Sequence, residues 1–462
     1  MTIKRRFETV CRYFGPDSEG NLLKNLAFLR VVAALLLVWL ACPQQARADV
    51  YPIRDHNRLA LLSDPEQGLD EKLAMIRSAK HHIHIMTYYW DDTPVGLEVA
   101  AAVREALERG VEVRVLASRI PTRATDPGMK VREILKEPTA DGRTAWVHFV
   151  GPVDYPFGVW DNIHEKLLLV DGRVAVIGGR NLSSFIYNAR DMELKVEGPL
   201  VADLQAHFKR MFDFCVEGHA ALTCGKRQAA CYVKWLDETF SQESQYFNNF
   251  STYPDNHRAR LVTHEAPMDV WNVEMNKEER LAQHDDIVEA LVNANFQHLR
   301  MYNYFLLHTT RMEEFLSQSV KAGKKVEIIT NSLESSAYLS EAGYRVALPY
   351  AATLPDGPIS YYLWEPTLPE KYLHMKAAIL DENHAFVGSH NFTTASTSVS
   401  SELAIEMWAK PVVSELIGYF EADKLNRCQP VDRSYFQEQL LSQTSLDGFK
   451  ERILKPLIEY IY

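Results

Sequence analysis

Two residues that could do chemistry, His164 and Lys166, stand immediately before Leu167–Val170, an apolar stretch typical of a buried strand. They are two positions apart, so in an extended chain their side chains point to the same face. An imidazole can act as a nucleophile or carry a proton, and an ammonium group can hold an anion. An isolated pair of this kind is more often a strand-end histidine beside a solvated lysine.

The same arrangement occurs again in the second half of the chain. In both copies, H-x-K is followed by four residues and an aspartate, then by Gly-Gly or Gly-Ser and an asparagine. The motif positions are His164, Lys166, Asp171 and Asn181 in the first copy and His374, Lys376, Asp381 and Asn391 in the second. At ordinary residue usage one H-x-K-x4-D is expected on the order of 0.05 times in such a chain. Two matched copies therefore indicate a duplication.

The elements that must position the motifs are also duplicated. In the first half, an alternating strand at 82–90 is followed by a helical pattern and a second strand at 109–117. In the second half, strands at 298–306 and 322–330 enclose a helical pattern in the same order. Strand–helix–strand units imply right-handed crossovers, with helices covering largely parallel or mixed sheets.

The predicted architecture is therefore an α/β fold built from two pseudo-symmetric mixed β-sheet repeats flanked by helices. We assign residues 49–255 to the first repeat and residues 256–462 to the second. Pseudo-symmetric halves can bring equivalent strand ends together, so we expect the active site at their interface.

Convergence of the two motifs would gather imidazoles, ammonium groups and amides at one spot. Such a cluster needs an anion, and a phosphate diester is the natural one. A neutral imidazole can attack phosphorus, while a second, protonated imidazole supplies a proton to the leaving alkoxide. Charge on the non-bridging oxygens is predicted to be stabilised by Lys166, Lys376, Asn181 and Asn391.

Acidic residues follow each motif. Glu193, with Asp191 beside it, comes after the first motif, and Glu402 comes after the second. The two imidazoles must differ in protonation state, so we predict that Glu193 and Glu402 orient them by hydrogen bonding. Lysines supply the charge in this chemistry, and we therefore predict neither a metal nor another cofactor.

The two H-x-K-x4-D copies, each followed by G-x-x-N or a near form, resemble the phospholipase D superfamily. The stretch "AKHHIHIMTYYWDDTPVGLEVAAAVREALERGVEVRVL" is similar to bacterial cardiolipin synthases, especially the class C-like group. The resemblance implies a two-lobed fold, a phosphohistidine intermediate and no required metal. It also implies that Asp171 and Asp381 are structural, that His164 is the nucleophile and that His374 is the general acid/base. The reverse assignment of the two histidines stays open.

The first 48 residues have the order of a secretory signal peptide. Basic residues precede the apolar run "VVAALLLVWLAC", and "ARA" precedes Asp49 as a small-x-small cleavage site. Export to the periplasm, or membrane association facing it, is the expected location, with an uncleaved anchor as the alternative. Residues 1–48 hold seven Lys or Arg and three Asp or Glu, so the net charge of −11 becomes about −15 without them. An acidic body of this kind disfavours nucleic acid as a partner.

Four cysteines remain beyond the leader: Cys215, Cys224, Cys231 and Cys428. An even number in an exported chain predicts up to two disulfides, with free buried thiols as the alternative. No C-x-x-C pair is present among them, which argues against a zinc site.

Three functions compete. The first is a phospholipase D-type phosphodiesterase or phosphatidyltransferase that acts on phospholipid at a membrane surface, with an alcohol or water as acceptor. The second is an exported nuclease of the same superfamily, which keeps the chemistry and changes the substrate. The third is a catalytically idle scaffold that binds lipid head groups or protein. No feature of the sequence indicates a partner protein.

Overall fold

The computed structural model describes residues 51–118, 129–150, 162–223, 251–264, 285–306, 309–336, 344–345, 351–367, 369–393, 396–397 and 400–441. The predicted leader, residues 1–48, lies outside the described residues, as do Cys224 and Cys231. Export, and a disulfide at those two cysteines, therefore stay predictions. Cys428 carries a free thiol, so a pairing through that residue is not formed.

The first repeat contains nine strands and four α-helices among its described residues. The strands are β1 (Arg54–Leu62), β2 (His82–Thr87), β3 (Glu112–Ser118), β4 (Trp146–Val150), β5 (Asn162–Ile163), β6 (Leu167–Val170), β7 (Val174–Gly178), β8 (Ala189–Arg190) and β9 (Glu193–Glu197). The helices are α1 (Pro65–Ser78), α2 (Pro94–Glu108), α3 (Met129–Lys136) and α4 (Leu200–Thr223).

The second repeat follows with a similar order of elements. Its described strands are β10 (His257–His264), β11 (His298–Tyr302), β12 (Lys325–Asn331), β13 (Ile359–Trp364), β14 (Tyr372–Leu373), β15 (Ala377–Leu380), β16 (His384–Gly388), β17 (Ser400–Met407) and β18 (Cys428–Val431). Its described helices are α5 (Asp286–Val292), α6 (Thr310–Lys321), α7 (Leu333–Ser336), α8 (Lys410–Asn426) and α9 (Arg433–Leu441).

The predicted strand–helix–strand units are present in both repeats. β2 and β3 pair in parallel and are connected by α2, as β11 and β12 are connected by α6. The apolar stripe of α2, which includes Val99, Val103 and Leu107, is buried as its spacing predicted. Each helix is followed by a glycine with positive φ, Gly110 at 93° and Gly323 at 76°. A glycine takes that backbone conformation without strain, and it turns the chain into the next strand.

One continuous sheet runs through both repeats. Its strand order is β18-β13-β12-β11-β15-β16-β17-β10-β1-β9-β7-β6-β2-β3-β4, with β5 paired to β17 beside this path. The pairing of β1 with β10, in which Asn57 lies opposite His257, joins the β-sheets of the two repeats into this single sheet. This pairing leaves neither strand as an open edge. The predicted α/β class, with mixed sheets and outer helices, is confirmed.

The hydrophobic core also crosses the boundary between the repeats. One cluster combines Phe208 and Phe212 of α4 with Leu416 and Phe420 of α8, packed against strands of both halves. Each repeat also has one hydrophobic cluster of its own. Burial of this apolar surface holds the halves in a fixed relation, which two converging motifs require. Among the described helices, none is both long enough and apolar enough to cross a bilayer.

Candidate active site

The strand that leads into each motif pairs with the opposite repeat. β5, just before His164, pairs in parallel with the start of β17, and the backbone N–H of His164 donates to Ser401 O at 3.1 Å. β14, just before His374, pairs in parallel with β8, and the backbone N–H of His374 donates to Arg190 O at 2.8 Å. Each catalytic candidate is therefore held by backbone hydrogen bonds to the other half of the chain.

The side chain of each motif histidine also contacts a residue of the opposite repeat. His164 Nδ1 lies 2.9 Å from Glu402 Oε1, and His374 Nδ1 lies 2.7 Å from Asp191 Oδ2. Both carboxylates are almost fully buried. An ionised carboxylate only accepts hydrogen bonds, so Nδ1 of each imidazole carries the proton and Nε2 is left for chemistry. A carboxylate therefore lies beside each histidine, as predicted, but one of the two acidic residues named for this role was wrong.

Glu193 does not contact a motif histidine, and Asp191 takes the place predicted for it. Glu193 instead pairs with Lys72 Nζ at 2.5 Å and with a guanidinium nitrogen of Arg180 at 3.3 Å. The ladder register explains the error, because Gly178 pairs with Glu193 while the equivalent Gly388 pairs with Ala404.

Counting back two residues from each ladder partner makes Asp191 the equivalent of Glu402. The connection between the motif asparagine and this carboxylate is one residue longer in the second repeat than in the first. That length difference was visible in the sequence. It could not by itself have identified Asp191, because relative to the motif glycine Asp191 lies one residue nearer, and Glu193 one residue farther, than Glu402 does.

The two lysines are buried at the same centre. Lys166 Nζ donates to the carbonyl of His164 at 2.5 Å, and Lys376 Nζ donates to the carbonyl of His374. A tyrosine ring lies beneath each ammonium group, with its centroid 5.3 Å from the nitrogen: Tyr88 in the first repeat and Tyr304 in the second. Sequence reasoning missed both tyrosines, because each lies in a stretch, 82–90 or 298–306, that was predicted only as a strand.

The motif asparagines differ in how they are held. Asn181 Oδ1 accepts a hydrogen bond from the backbone N–H of Tyr89 at 3.2 Å. The backbone N–H of Asn391 donates to Ser396 Oγ at 3.2 Å, and its buried Oδ1 has no hydrogen-bond partner among the described residues. Contact of these amides with phosphate stays a prediction.

The motif aspartates fasten the turns behind the site. Asp171 accepts backbone N–H groups of Lys80, His81 and His82 at 2.8 to 3.0 Å. Asp381 accepts those of Gln297 and His298 through a single oxygen, Oδ1. Both aspartates have left-handed backbones, with φ of 50° and 53°, which Asp tolerates better than most residues. Their contacts tie the end of each motif strand to the start of its antiparallel neighbour, β6 to β2 and β15 to β11.

The electrostatics of the centre favour neutral imidazoles and weakly basic lysines. Burial, opposed by Glu402, lowers the pKa of His164 to about 4, and burial together with Lys376 lowers the pKa of His374 to about 4. Burial also lowers the pKa of Lys166 to about 7 and that of Lys376 to about 8. The lysine of each motif acts on the histidine of the other, so all four groups share one electrostatic environment.

The orienting carboxylates stay ionised in spite of their burial. Burial opposes the charge of Glu402, but its interactions with His164, His390 and Lys166 outweigh that effect and hold the pKa of the carboxyl at about 2. Burial likewise opposes the charge of Asp191, and His374, Lys376 and Arg180 lower its pKa below the usual range. Both dyads therefore have a charged acceptor at neutral pH.

The two halves are not equivalent in the layer behind the dyads. Ser389 Oγ donates to Glu402 Oε2 at 2.5 Å. The equivalent Gly179 cannot carry a side chain, because a Cβ there would lie 2.2 Å from Asp191 Oδ1. The residue after Ser389 is His390, which hydrogen-bonds Asp285 at 2.8 Å. The equivalent residue after Gly179 is Arg180. Among the described residues, no group of three His, Cys, Asp or Glu side chains is placed to hold a metal ion.

Comparison with known proteins gives consistent matches to this arrangement. A family model described as "Cardiolipin synthase, PLD-like domain" matches residues 73–212 and 287–424, which contain both motifs. Cardiolipin synthase B of Shigella flexneri is 25% identical over 397 residues, covering 82% of this chain and 84% of that protein. Its namesake from Escherichia coli K12 is 25% identical over 395 residues with the same coverage. The resemblance to the phospholipase D superfamily and cardiolipin synthases is confirmed, while the class C-like subgroup stays a prediction.

A solved structure has the same fold. The crystal structure of phosphatidylserine synthase from Haemophilus influenzae Rd KW20 matches with a TM-score of 0.62 and 12% sequence identity. The match covers 87% of this chain and 95% of that one. The duplicated fold predicted from the repeats is therefore confirmed over nearly the whole of both chains.

Proposed function

The chain belongs to the family of cardiolipin synthase, PLD-like domains, and we propose that it transfers the phosphatidyl group of a phospholipid to an alcohol or to water. One observation carries the proposal. Each motif imidazole is hydrogen-bonded at Nδ1 to a buried carboxylate of the opposite repeat, and each lies beside a buried lysine. Two oriented imidazoles and two ammonium groups are the set that a two-step displacement at a phosphodiester needs.

In the first step, His164 Nε2 attacks the phosphorus of the bound phospholipid. The P–N bond forms as the P–O bond to the departing alcohol breaks, and His374 gives its Nε2 proton to the alkoxide. The product is a phosphatidyl-histidine and a free alcohol. Glu402 stabilises the positive charge that develops on the His164 ring, and Asp191 does the same for His374 while it is protonated.

In the second step, the acceptor hydroxyl gives its proton to the now neutral His374 and attacks phosphorus. The P–O bond to the acceptor forms, the P–N bond breaks, and His164 returns to its neutral state. Lys166 and Lys376 stabilise the charge on the non-bridging oxygens in both steps. The family resemblance is the basis for naming His164 as the nucleophile.

Both imidazoles have a pKa of about 4, so both are neutral at pH 7 before substrate binds. His374 can act as a general acid only after it gains a proton. The arriving phosphodiester is an anion, and its charge favours protonation of a nearby imidazole. Substrate binding is therefore accompanied by proton uptake, which calorimetry in buffers of different ionisation enthalpy measures directly.

The cellular location follows from the leader. The basic segment, the apolar run and the "ARA" site at 46–48 support export, so the enzyme works in the periplasm or at the membrane facing it. Fractionation of cells that express the full chain with a C-terminal tag tests this proposal. Recovery of the tagged protein in the cytoplasmic fraction would refute it.

The test of activity uses purified protein and vesicles of phosphatidylglycerol or phosphatidylethanolamine, with and without added glycerol. Mass spectrometry of the products distinguishes transfer from hydrolysis. We expect head-group release or exchange by the wild type, loss of turnover in His164→Ala and His374→Ala, and retained turnover in His81→Ala, whose imidazole is exposed. Turnover at the wild-type rate by either motif variant would contradict the assignment.

The same preparation tests the two alternatives. Degradation of single-stranded DNA at catalytic rates, with inert vesicles, would replace the proposal by the nuclease. Incubation with phosphate-labelled phospholipid, followed by denaturation, is expected to leave an acid-labile label on the protein. A scaffold would leave no label and produce no product.

A further inference from the structure

Tyr88 and Tyr304 occupy equivalent positions, one in each repeat. The ladder partner of Leu167, the residue after Lys166, is Met86, and the ladder partner of Ala377, the residue after Lys376, is Tyr302. Two residues beyond each partner stands a tyrosine. The sequences around the two differ, yet the chain places an aromatic ring at the same point of both motifs.

The contacts of the two rings are the same in kind. The Lys166 ammonium lies 5.3 Å from the centroid of Tyr88, and the Lys376 ammonium lies 5.3 Å from that of Tyr304. Each ring also meets the histidine of its own motif nearly perpendicularly. Tyr88 lies 4.9 Å from the His164 ring at 67°, and Tyr304 lies 5.3 Å from the His374 ring at 79°. One aromatic side chain therefore contacts both reactive groups of its motif.

We propose that Tyr88 and Tyr304 are positioning residues, each of which holds the lysine ammonium of its motif at the phosphate site through the face of its ring. A cation is attracted to the face of an aromatic ring, and the attraction is stronger where water is excluded. This inference rests on the proposed phosphodiester chemistry and goes beyond it, because it concerns how the lysines are kept charged and in place.

A ring serves this purpose better than a carboxylate. An acidic oxygen in contact with the ammonium would compete with the phosphate oxygens for the same N–H donors. The aromatic face attracts the cation and leaves those donors free to turn toward phosphate. Within the part of the chain that the structure describes, each ammonium donates one hydrogen bond to a backbone carbonyl, which leaves further N–H groups for phosphate.

The charge of the lysines is sensitive to this contact. The charged or titratable groups that face Lys166 are Glu402, Asp191, Glu165, His164 and Lys376; those that face Lys376 are Asp191, Glu402, His374 and Lys166. Burial outweighs the carboxylates and lowers the lysine pKa values to about 7 and about 8. A contact that favours the ammonium form therefore raises the fraction of enzyme molecules in which these lysines are protonated at neutral pH.

The decisive experiment measures the pH profile of kcat/KM for head-group release by the full-length protein. Tyr88→Leu removes the ring, and we expect the alkaline limb to move to lower pH by about one unit, with a tenfold loss at pH 8. Tyr88→Phe keeps the ring face and is expected to leave the limb at its wild-type position. A purely structural role for the tyrosine would lower activity at all pH values and leave the limb unmoved.

A matched control and a second measurement complete the test. Tyr253 lies 4.5 Å from the guanidinium of Arg58, away from the motifs, and Tyr253→Leu should leave the profile unchanged. Calorimetry with inorganic phosphate forms the second measurement. Tyr88→Leu should weaken phosphate binding about tenfold in the wild-type background and have no effect when Lys166 is already replaced by Met.

The outcomes separate this inference from the proposed function. If the wild type turns over phospholipid but Tyr88→Leu leaves both the limb and phosphate affinity unchanged, the positioning role is refuted and the activity stands. If phosphate binding responds as expected but no phospholipid is turned over, the activity is refuted and the positioning role stands. Should Tyr88→Leu fail to fold, Tyr88→Met, which is unbranched and adapts to its surroundings, gives the same readings.

Discussion

The structure predicts that two isosteric substitutions in the dyads will have very different effects. Asp191→Asn and Glu402→Gln each replace a carboxylate by an amide and remove one negative charge beside an imidazole. The difference lies in what the second oxygen of each carboxylate contacts. Asp191 Oδ1 accepts the backbone N–H of Met192 at 2.8 Å, whereas Glu402 Oε2 accepts the hydroxyl of Ser389 at 2.5 Å.

A backbone N–H cannot reverse its role, and a hydroxyl can. In Asp191→Asn the carbonyl oxygen must stay on Met192, so the amide NH2 turns toward His374 Nδ1. Nδ1 then has to accept, and the proton moves to Nε2, where the neutral ring can no longer take a proton from the acceptor alcohol. In Glu402→Gln the oxygen stays on His164, because Ser389 can accept from the NH2 and donate to Leu403 O at 3.4 Å.

The magnitudes follow from these two situations. Glu402→Gln exchanges a charge-assisted hydrogen bond for a neutral one, a loss of about 1.5 kcal/mol, or roughly tenfold in kcat. Asp191→Asn loses the charge and also holds the wrong tautomer, for which the loss in comparable His–Asp pairs is about 10⁴-fold. We therefore expect Asp191→Asn to be slower than Glu402→Gln by a factor of about 10² to 10³.

The assay is single-turnover release of a labelled head group from vesicles at saturating enzyme, which isolates the chemical steps from product release. Circular dichroism and inorganic phosphate binding check that both variants keep the native site. Equal losses in the two variants, or a greater loss in Glu402→Gln, would refute the tautomer argument. Wild-type rates in both would also remove the dyads from the mechanism.

Three further predictions follow from the same contacts. Glu193→Gln breaks a buried network with Lys72 and Arg180, so the free energy of unfolding measured in urea should fall by about 3 kcal/mol. The kcat of this variant should stay within about threefold of the wild type. A large loss of kcat with unchanged stability would restore the orienting role first predicted for Glu193. The kcat/KM of the wild type should fall as pH rises through about 7 to 8, because lysines with pKa values of about 7 and 8 lose their protons in that range; a flat profile from pH 6 to 9 contradicts this. Asp381→Asn should cost less than about 1 kcal/mol of stability because a single oxygen accepts both N–H groups, and Asp171→Asn should cost about 2 kcal/mol because both oxygens are used, which thermal unfolding can compare.

Spacing within the chain was enough to predict which histidines and lysines the fold brings to the candidate site. The H-x-K-x4-D copies predicted the histidines and lysines, and the alternating and helical patterns predicted the strand–helix–strand units around them. These features depend on short-range order, which a sequence displays directly. The carboxylate beside each histidine was predicted in kind, because an imidazole with a defined proton position needs an acceptor.

What spacing could not predict depends on contacts between distant strands. Asp191 and Glu193 are two residues apart, and only the ladder register relative to Gly178 decides which of them reaches His374. The contact of Tyr88 with Lys166 depends on β2 and β6 being neighbours, although their residues are far apart in the chain. The crossing of the dyads depends on the pairing of β5 with β17 and of β14 with β8, which neither repeat encodes alone.

That crossing makes the candidate site a joint product of the two repeats. His164 is oriented by Glu402 of β17 in the second repeat, and His374 is oriented by Asp191, which lies between β8 and β9 of the first. An isolated repeat would present an imidazole without its carboxylate and a buried carboxylate without its imidazole, and an uncompensated buried charge is strongly destabilising. Correct docking of the halves is therefore favoured by the same contacts that orient the catalytic rings. Because the donors to the two carboxylates differ, the Ser389 hydroxyl for Glu402 and a backbone N–H for Asp191, two copies of one motif can hold imidazoles with different roles.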